Sequence, residues 1–132
     1  LKTVSAEIDL LKPYADALMD GAKRFTAMAA QRDGRQAKKA RQMAVLAEYI
    51  GRSVITAINM KRGALAWEAK DDSLLRSIAR EEYINAEAAL PLVDADSRLG
   101  FECSMEYGGG REQIEWKLRR MREIYPGLFG EP

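Results

Sequence analysis

The chain has 132 residues, which suits one domain able to bury an ordinary core without metal or disulfide staples. Hydrophobic residues make up 47% and charged residues 31%, which excludes a disordered tail, and 21 basic against 20 acidic residues leave no global pull toward nucleic acid or an anionic membrane. Histidine is absent, which removes the commonest general base and zinc ligand; the one cysteine, Cys103, excludes an intrachain disulfide and by itself assigns no compartment.

Val4, Ile8, Leu11, Ala15, Leu18, Ala22, Phe25 and Ala29 recur at alternating steps of four and three, which keeps one helical stripe apolar. Pro13 lies inside this stripe, so either the helix kinks there or residues 2–12 form a lead-in and the main helix starts near Pro13. Asp33-Gly34 is expected to end it, because glycine tolerates the left-handed C-cap conformation. A second helix is predicted over about residues 36–70, with Ala40, Met43, Ala47, Ile50, Val54, Ala57 and Ala64 or Leu65 as its buried stripe. Gly51 and Gly63 either weaken it, by about 1 kcal/mol each relative to Ala, or permit close approach of a neighbouring helix.

Asp71-Asp72-Ser73 offers N-cap oxygens for a third helix, whose buried face is traced by Leu75, Ala79, Glu82 or Tyr83, Ala86, Leu90 and Val93. Pro91 implies a kink or an early end. Residues 94–110 break the periodicity and form a long loop. A shorter last helix follows over about residues 111–125, with Ile114, Leu118, Met121 and Tyr125 inward. Glu112 and Glu115 at its start and Arg119, Arg120 and Arg122 near its end complement the helix dipole, and Pro126-Gly127 stops it. Three long helices, one shorter helix and no strand alternation predict an all-α antiparallel bundle, a single domain over residues 1–132. No stretch approaches the roughly 18 apolar residues of a membrane span. The opening Leu1-Lys2-Thr3-Val4 has no Met and no leader pattern, so we read the chain as a piece of a longer or processed protein.

Candidate sites gather in the loop. Asp94-x-Asp96 begins like a calcium loop, but Arg98, Leu99 and Met105 stand where the pattern needs an oxygen ligand, glycine and glutamate. Local capping by Asp94 or Asp96, with pairing to Arg98, is the simpler role. Glu102 and Glu106 are two carboxylates of the kind glycoside hydrolysis uses, without the surrounding sugar-binding cleft that chemistry needs. Gly108-Gly109-Gly110 lacks the Lys-Ser/Thr ending and preceding strand of a phosphate loop and reads as a flexible hinge. Phe101, Tyr107 and Trp116, with Trp67, either stack on a sugar ring or pin the loop to the helix ends. Arg32, Arg35, Lys38, Lys39 and Arg41 form a basic stretch opposed only by Asp33. Together with Lys117, Arg119, Arg120 and Arg122 it would make a phosphate-facing patch, with no aromatic interleaved for base stacking. A solvated helix face is the simpler reading of both clusters. No metal or cofactor site is expected.

The run from Asn85 through Leu90-Pro91-Leu92-Val93-Asp94-Ala95-Asp96-Ser97-Arg98-Leu99-Gly100-Phe101-Glu102, followed by Tyr107-Gly108-Gly109 and Ile114-Glu115-Trp116-Lys117-Leu118, carries a resemblance. It resembles the C-terminal helical region of large bacterial proteins grouped with glycoside hydrolases and other polysaccharide-utilisation proteins, over residues 72–125. The pattern departs at Phe101 and Cys103, where Trp and Pro are expected. The resemblance implies a non-catalytic helical accessory domain that docks on an adjacent domain or a partner subunit, within an exported, carbohydrate-active parent. The alternative is a small saccharide-binding module using loop 94–109, with Asp94, Asp96, Arg98, Phe101, Glu102, Glu106, Tyr107 and Trp116 as candidates; nucleic-acid association through the basic stretch is a third and weaker reading.

Overall fold

A computed structural model describes residues 2–100 and 109–130. Every regular element among them is a helix: α1 (Lys2–Ala30), α2 (Gly34–Glu68), α3 (Asp72–Glu87), α4 (Leu90–Ala95) and α5 (Arg111–Ile124). None is long and apolar enough to cross a membrane among the described residues.

The two longest helices form an antiparallel hairpin. Phe25 and Met28 share a groove with Ala40 and Met43, Leu18 and Met19 meet Gly51, and Glu7 pairs with Lys61. The α1 stripe named above faces α2, with Ala15, Ala22 and Ala29 buried in it. On α2 the matching seam is Ala37, Ala40, Ala44, Ala47, Gly51, Val54 and Ile58, again at steps of three and four. The sequence stripe had put Met43 and Ile50 there. The structure instead buries their neighbours Ala44 and Gly51 and leaves Met43 exposed. The reason is size: small side chains let the helices approach closely, and the large ones are displaced to the flanks. Gly51 shows how close, since a Cβ there would lie 2.9 Å from Met19 Sδ and 3.3 Å from Leu18 Cβ. Gly63, by contrast, faces open space.

Three expectations need correction. α1 runs unbroken through Pro13, so residues 2–12 are not a separate lead-in. Pro13 is exposed, where the Asp9 carbonyl freed by its missing N–H can meet water. Gly34 does take a positive φ, of 58°, but it opens α2 and does not cap α1. The third helix ends early, at Glu87, as one of the two readings of Pro91 expects, but Leu90 and Val93 belong to a separate α4 that begins at Leu90 with Pro91 in its first turn, so the described chain has five helices and the loop starts later than position 94. Proline has no N–H to give Glu87, four residues back, and its ring collides with that carbonyl; in a first turn neither matters.

The turn into α3 is built as expected. Asp71 caps α3 by accepting the Leu74 N–H at 2.9 Å. Lys70 adopts φ 56°, and Asp71 N–H closes on Ala66 O at 3.0 Å, a Schellman-type end to α2. α3 packs on α2, and α5 packs on α3 and α4. Their shared core holds Tyr83, Ala86, Ala89, Leu92, Val93, Leu99, Ile114 and Leu118. The tail after α5 turns back over it, stacking Phe129 on Tyr83 with centroids 4.4 Å apart.

Substitutions at the two α2 glycines separate packing from propensity. Gly51→Leu should destabilise the chain by about 1–3 kcal/mol through overpacking. Gly63→Ala should stabilise it by up to about 1 kcal/mol. Urea unfolding followed by circular dichroism reads both.

Candidate functional site

α2 carries a further stripe, Tyr49, Arg52, Thr56 and Asn59, turned toward α3 and α5. Thr56 Oγ1 donates to Glu82 Oε1 at 2.7 Å and Asn59 Nδ2 to Glu82 Oε2 at 2.8 Å, while Lys117 forms an ion pair with the same carboxylate. Asn85 Nδ2 donates to Arg52 O at 3.0 Å and to Thr56 Oγ1 at 3.1 Å. Arg52 holds Glu48 through Nε at 3.0 Å and Nη2 at 2.6 Å. Arg62 donates to Asn59 Oδ1 at 3.1 Å and pairs with Glu81. Glu82, Asn59 and Asn85 are buried. Both oxygens of Glu82 are bonded, which is the condition under which a carboxylate can leave water.

Beside this network lies a cleft of about 230 Å³, lined by Tyr49, Arg52, Ser53, Thr56, Asn85, Gln113 and Lys117, with Ala86, Ala89 and Ile114 as its apolar wall. The charges that line it are already matched, Arg52 by Glu48 and Lys117 by Glu82. Ser53 Oγ donates to the Tyr49 carbonyl of its own helix at 3.0 Å. What the arrangement does chemically is fix the register of three helices through directional bonds.

The loop candidates fall elsewhere. Arg111 binds Asp94 (Nε to Oδ1, 2.7 Å) and Glu115 (Nη1 to Oε1, 2.5 Å), tying the end of α4 to the start of α5. Its hydrogen bond holds the Asp94 carboxyl below the usual carboxylate range. Arg98 grips Asp96 with Nε at 2.8 Å, Nη2 at 2.6 Å and its backbone N–H at 3.1 Å, the side-chain bonds first pulling that carboxyl down to about 2. This is the local capping and pairing role considered for Asp96. Trp116 is 61% exposed beside Arg119, Arg120 and Glu123 and does not line the cleft. Phe101, Glu102, Glu106 and Tyr107 lie outside the described residues, as does Gly108.

The remaining glycines do not form a slack hinge. Gly109 N–H donates to Gly100 O at 3.3 Å, and Tyr49 Oη donates to Gly109 O at 3.2 Å. Gly100 has φ 82°, and a Cβ on it would sit 2.5 Å from the Gly109 carbonyl carbon. The two ends of the loop are therefore clasped against α2, and glycine is required because the backbones touch.

The other feature of note is on the hairpin. In an antiparallel pair, the residue one before each seam position points to the same side of both helices. On α1 these positions include Leu10, Tyr14 and Met28, with Glu7 and Arg24 toward the two ends, and on α2 Met43, Leu46, Ile50, Ala57, Met60 and Ala64, with Gln36, Lys39 and Ser53 among them and Trp67 at the next turn. The opposite side is polar and carries Asp9, Lys12, Asp16, Asn59 and Arg62, with Glu81 of α3 reaching it. Leu10 is 75%, Met60 70% and Trp67 74% exposed. No large side chain among the described residues is completely buried. The chain exposes 9169 Å². A compact monomer of 14.8 kDa would expose about 7,000 Å².

Comparison with protein-family models, with characterised proteins and with solved structures finds no match to any of them.

Periodicity of apolar residues could not reveal the polar stripe of α2, although its three-and-four spacing is present in the sequence. Its significance is testable through Glu82. Glu82→Ala leaves Lys117, Thr56 and Asn59 without their acceptor and should cost roughly 2–4 kcal/mol, allowing for the partial exposure of Lys117. Glu81→Ala, which removes an exposed pair, should cost less than about 1 kcal/mol in the same urea titration.

Proposed function

We propose that the chain is a helical accessory domain, itself non-catalytic, that docks on an adjacent domain or partner subunit of a larger bacterial carbohydrate-active protein. The observation that supports docking is the apolar side of the α1–α2 hairpin, left open along the hairpin while the polar side is the one Glu81 of α3 reaches. Contiguous exposed apolar patches on soluble chains mark contact surfaces when they are large. In this reading α1, α2 and α3 are the three long members of an antiparallel bundle that is unclosed on one side, and the neighbour closes it. The carbohydrate context rests on the sequence resemblance over residues 72–125.

The saccharide-binding alternative draws on the polar cleft that opens beside the loop clasp at Gly109. It is the weaker reading because Asp94, Asp96 and Arg98 are already engaged by protein partners. Of the second basic cluster, Lys117 pairs with Glu82, Arg120 with Glu123, and Arg122 lies 5.3 Å over the Tyr83 ring, which takes support from a joint phosphate-facing patch.

Hydroxyl-radical footprinting tests the docking reading, since Tyr, Met and Trp are reactive side chains. In the full-length gene product Tyr14, Met60 and Trp67 should lose most of the reactivity they show in the isolated chain. Trp116, on another face, should keep its own. Unchanged reactivity at all of the first three would overturn the proposal.

A further inference from the structure

The open side of the hairpin is not uniform in charge. Near the α1–α2 turn, Phe25, Met28 and Met43 floor a groove, and Arg32 and Lys39 stand on its rim. Arg35 and Lys38 lie on the adjoining turn of α2. Between positions 21 and 47 the chain has seven basic residues and one acidic residue, Asp33. Arg24 is paired with Asp20. The two cations on the rim, Arg32 and Lys39, have no ion-pair partner among the described residues. Farther along the same side, Leu46, Ile50 and Met60 continue the apolar stripe without charge.

We propose that this end of the hairpin receives an acidic amphipathic helix from the docking partner, a step that rests on the docking reading and names the chemistry of what docks. The shape argues for a helix. Two antiparallel helices in close contact leave a straight groove, and side chains repeating at three and four residues on a third helix fill such a groove. Charge argues for acid. The floor takes the apolar stripe, while carboxylates along its flank meet Arg32 and Lys39, which would repel a basic partner. The apolar atoms sit at the bottom of a concave surface, within reach of inserted side chains and out of reach of a flat bilayer. Phosphates would use the rim and leave the methionine floor unanswered.

The test uses the 132-residue chain with its methionine methyl groups labelled for NMR. The probes are a synthetic three-heptad helix bearing leucine on one stripe and glutamate on its flanks, the same peptide with lysine for glutamate, a single-stranded oligonucleotide, and phosphatidylserine–phosphatidylcholine vesicles. The glutamate peptide should shift the Met28 and Met43 methyls, leave Met121 in place, and bind more weakly as salt rises. The double variant Arg32→Glu with Lys39→Glu, both exposed positions, should lower affinity at least about tenfold with the thermal midpoint kept. Arg119→Glu on α5 should leave affinity unchanged. Equal binding of the lysine peptide, immobile Met28 and Met43 methyls, or shifts produced by the oligonucleotide or vesicles and not by the glutamate peptide would each overturn the inference. Protection of Tyr14, Met60 and Trp67 in the full-length product would then still stand, because those residues lie outside the groove.

Discussion

The rest of the molecule depends on how closely α1 approaches α2. Ala15, Ala22 and Ala29 meet a seam of Ala37, Ala40, Ala44 and Gly51, so the backbones come together with little side chain between them. Such a seam gains modestly from apolar burial, about 0.8 kcal/mol per methyl against about 1.5–3 kcal/mol for a fully buried large aliphatic side chain. At Gly51 the close approach leaves no room for a larger residue on α2, because Leu18 and Met19 already fill the space opposite. Leu10, Tyr14, Met43 and Met60 stand on the hairpin's side, exposed among the described residues.

Around this hairpin the chain uses two different means of cohesion. On one side, α3, α4 and α5 enclose a small core of Tyr83, Leu92, Val93, Ile114 and Leu118, capped by Phe129. The contact of α3 and α5 with α2 is largely polar, routed through Glu82, Asn85 and Lys117. Bonds of this kind are directional, so they fix helix register in a way that a stripe of alanines cannot. On the other side the hairpin carries a mainly apolar stripe, interrupted by Ser53, with a basic end and Glu7 paired to Lys61 at the far end. The asymmetry links the fold to the proposed role: the polar side is finished within the chain, and the proposed partner would finish the apolar side.

Much of this was legible in the residues. The all-helical class, the α1 stripe, the Asp71 cap and the limits of α5 follow from spacing and capping chemistry, which are local. The expected α2 seam keeps Ala40, Ala47 and Val54 but is off by one residue at Met43, Ile50 and Ala57, because a pattern of large apolar side chains marks a face without saying whether it is inward. Met43 and Met60 belong to a regular stripe that the fold leaves outside. Ala44 and Gly51 are buried because they are small, which becomes decisive only once a second helix is in place. The Glu82 network was hidden for a similar reason. Glu82 was weighed as an inward residue, but its partners lie 23 to 35 positions away in sequence. Gly109 read as part of a flexible hinge and instead forms a clasp with Gly100, a contact between backbones that no spacing rule encodes. Of the loop candidates, Asp96 is spent on Arg98 two positions away, a pairing the sequence could suggest, whereas Asp94 is spent on Arg111, 17 positions away, which spacing could not reveal.

Small-angle scattering on the monomeric chain tests the close-packed, one-sided hairpin most directly. A helix of 35 residues is about 52 Å long at 1.5 Å per residue. With one side of the hairpin uncovered, the radius of gyration should lie well above the roughly 14 Å of a compact domain of this length, with a maximum dimension of at least about 50 Å. A near-spherical particle with a radius of gyration of about 14 Å would mean that the apolar side is covered from within the chain, and would contradict the account.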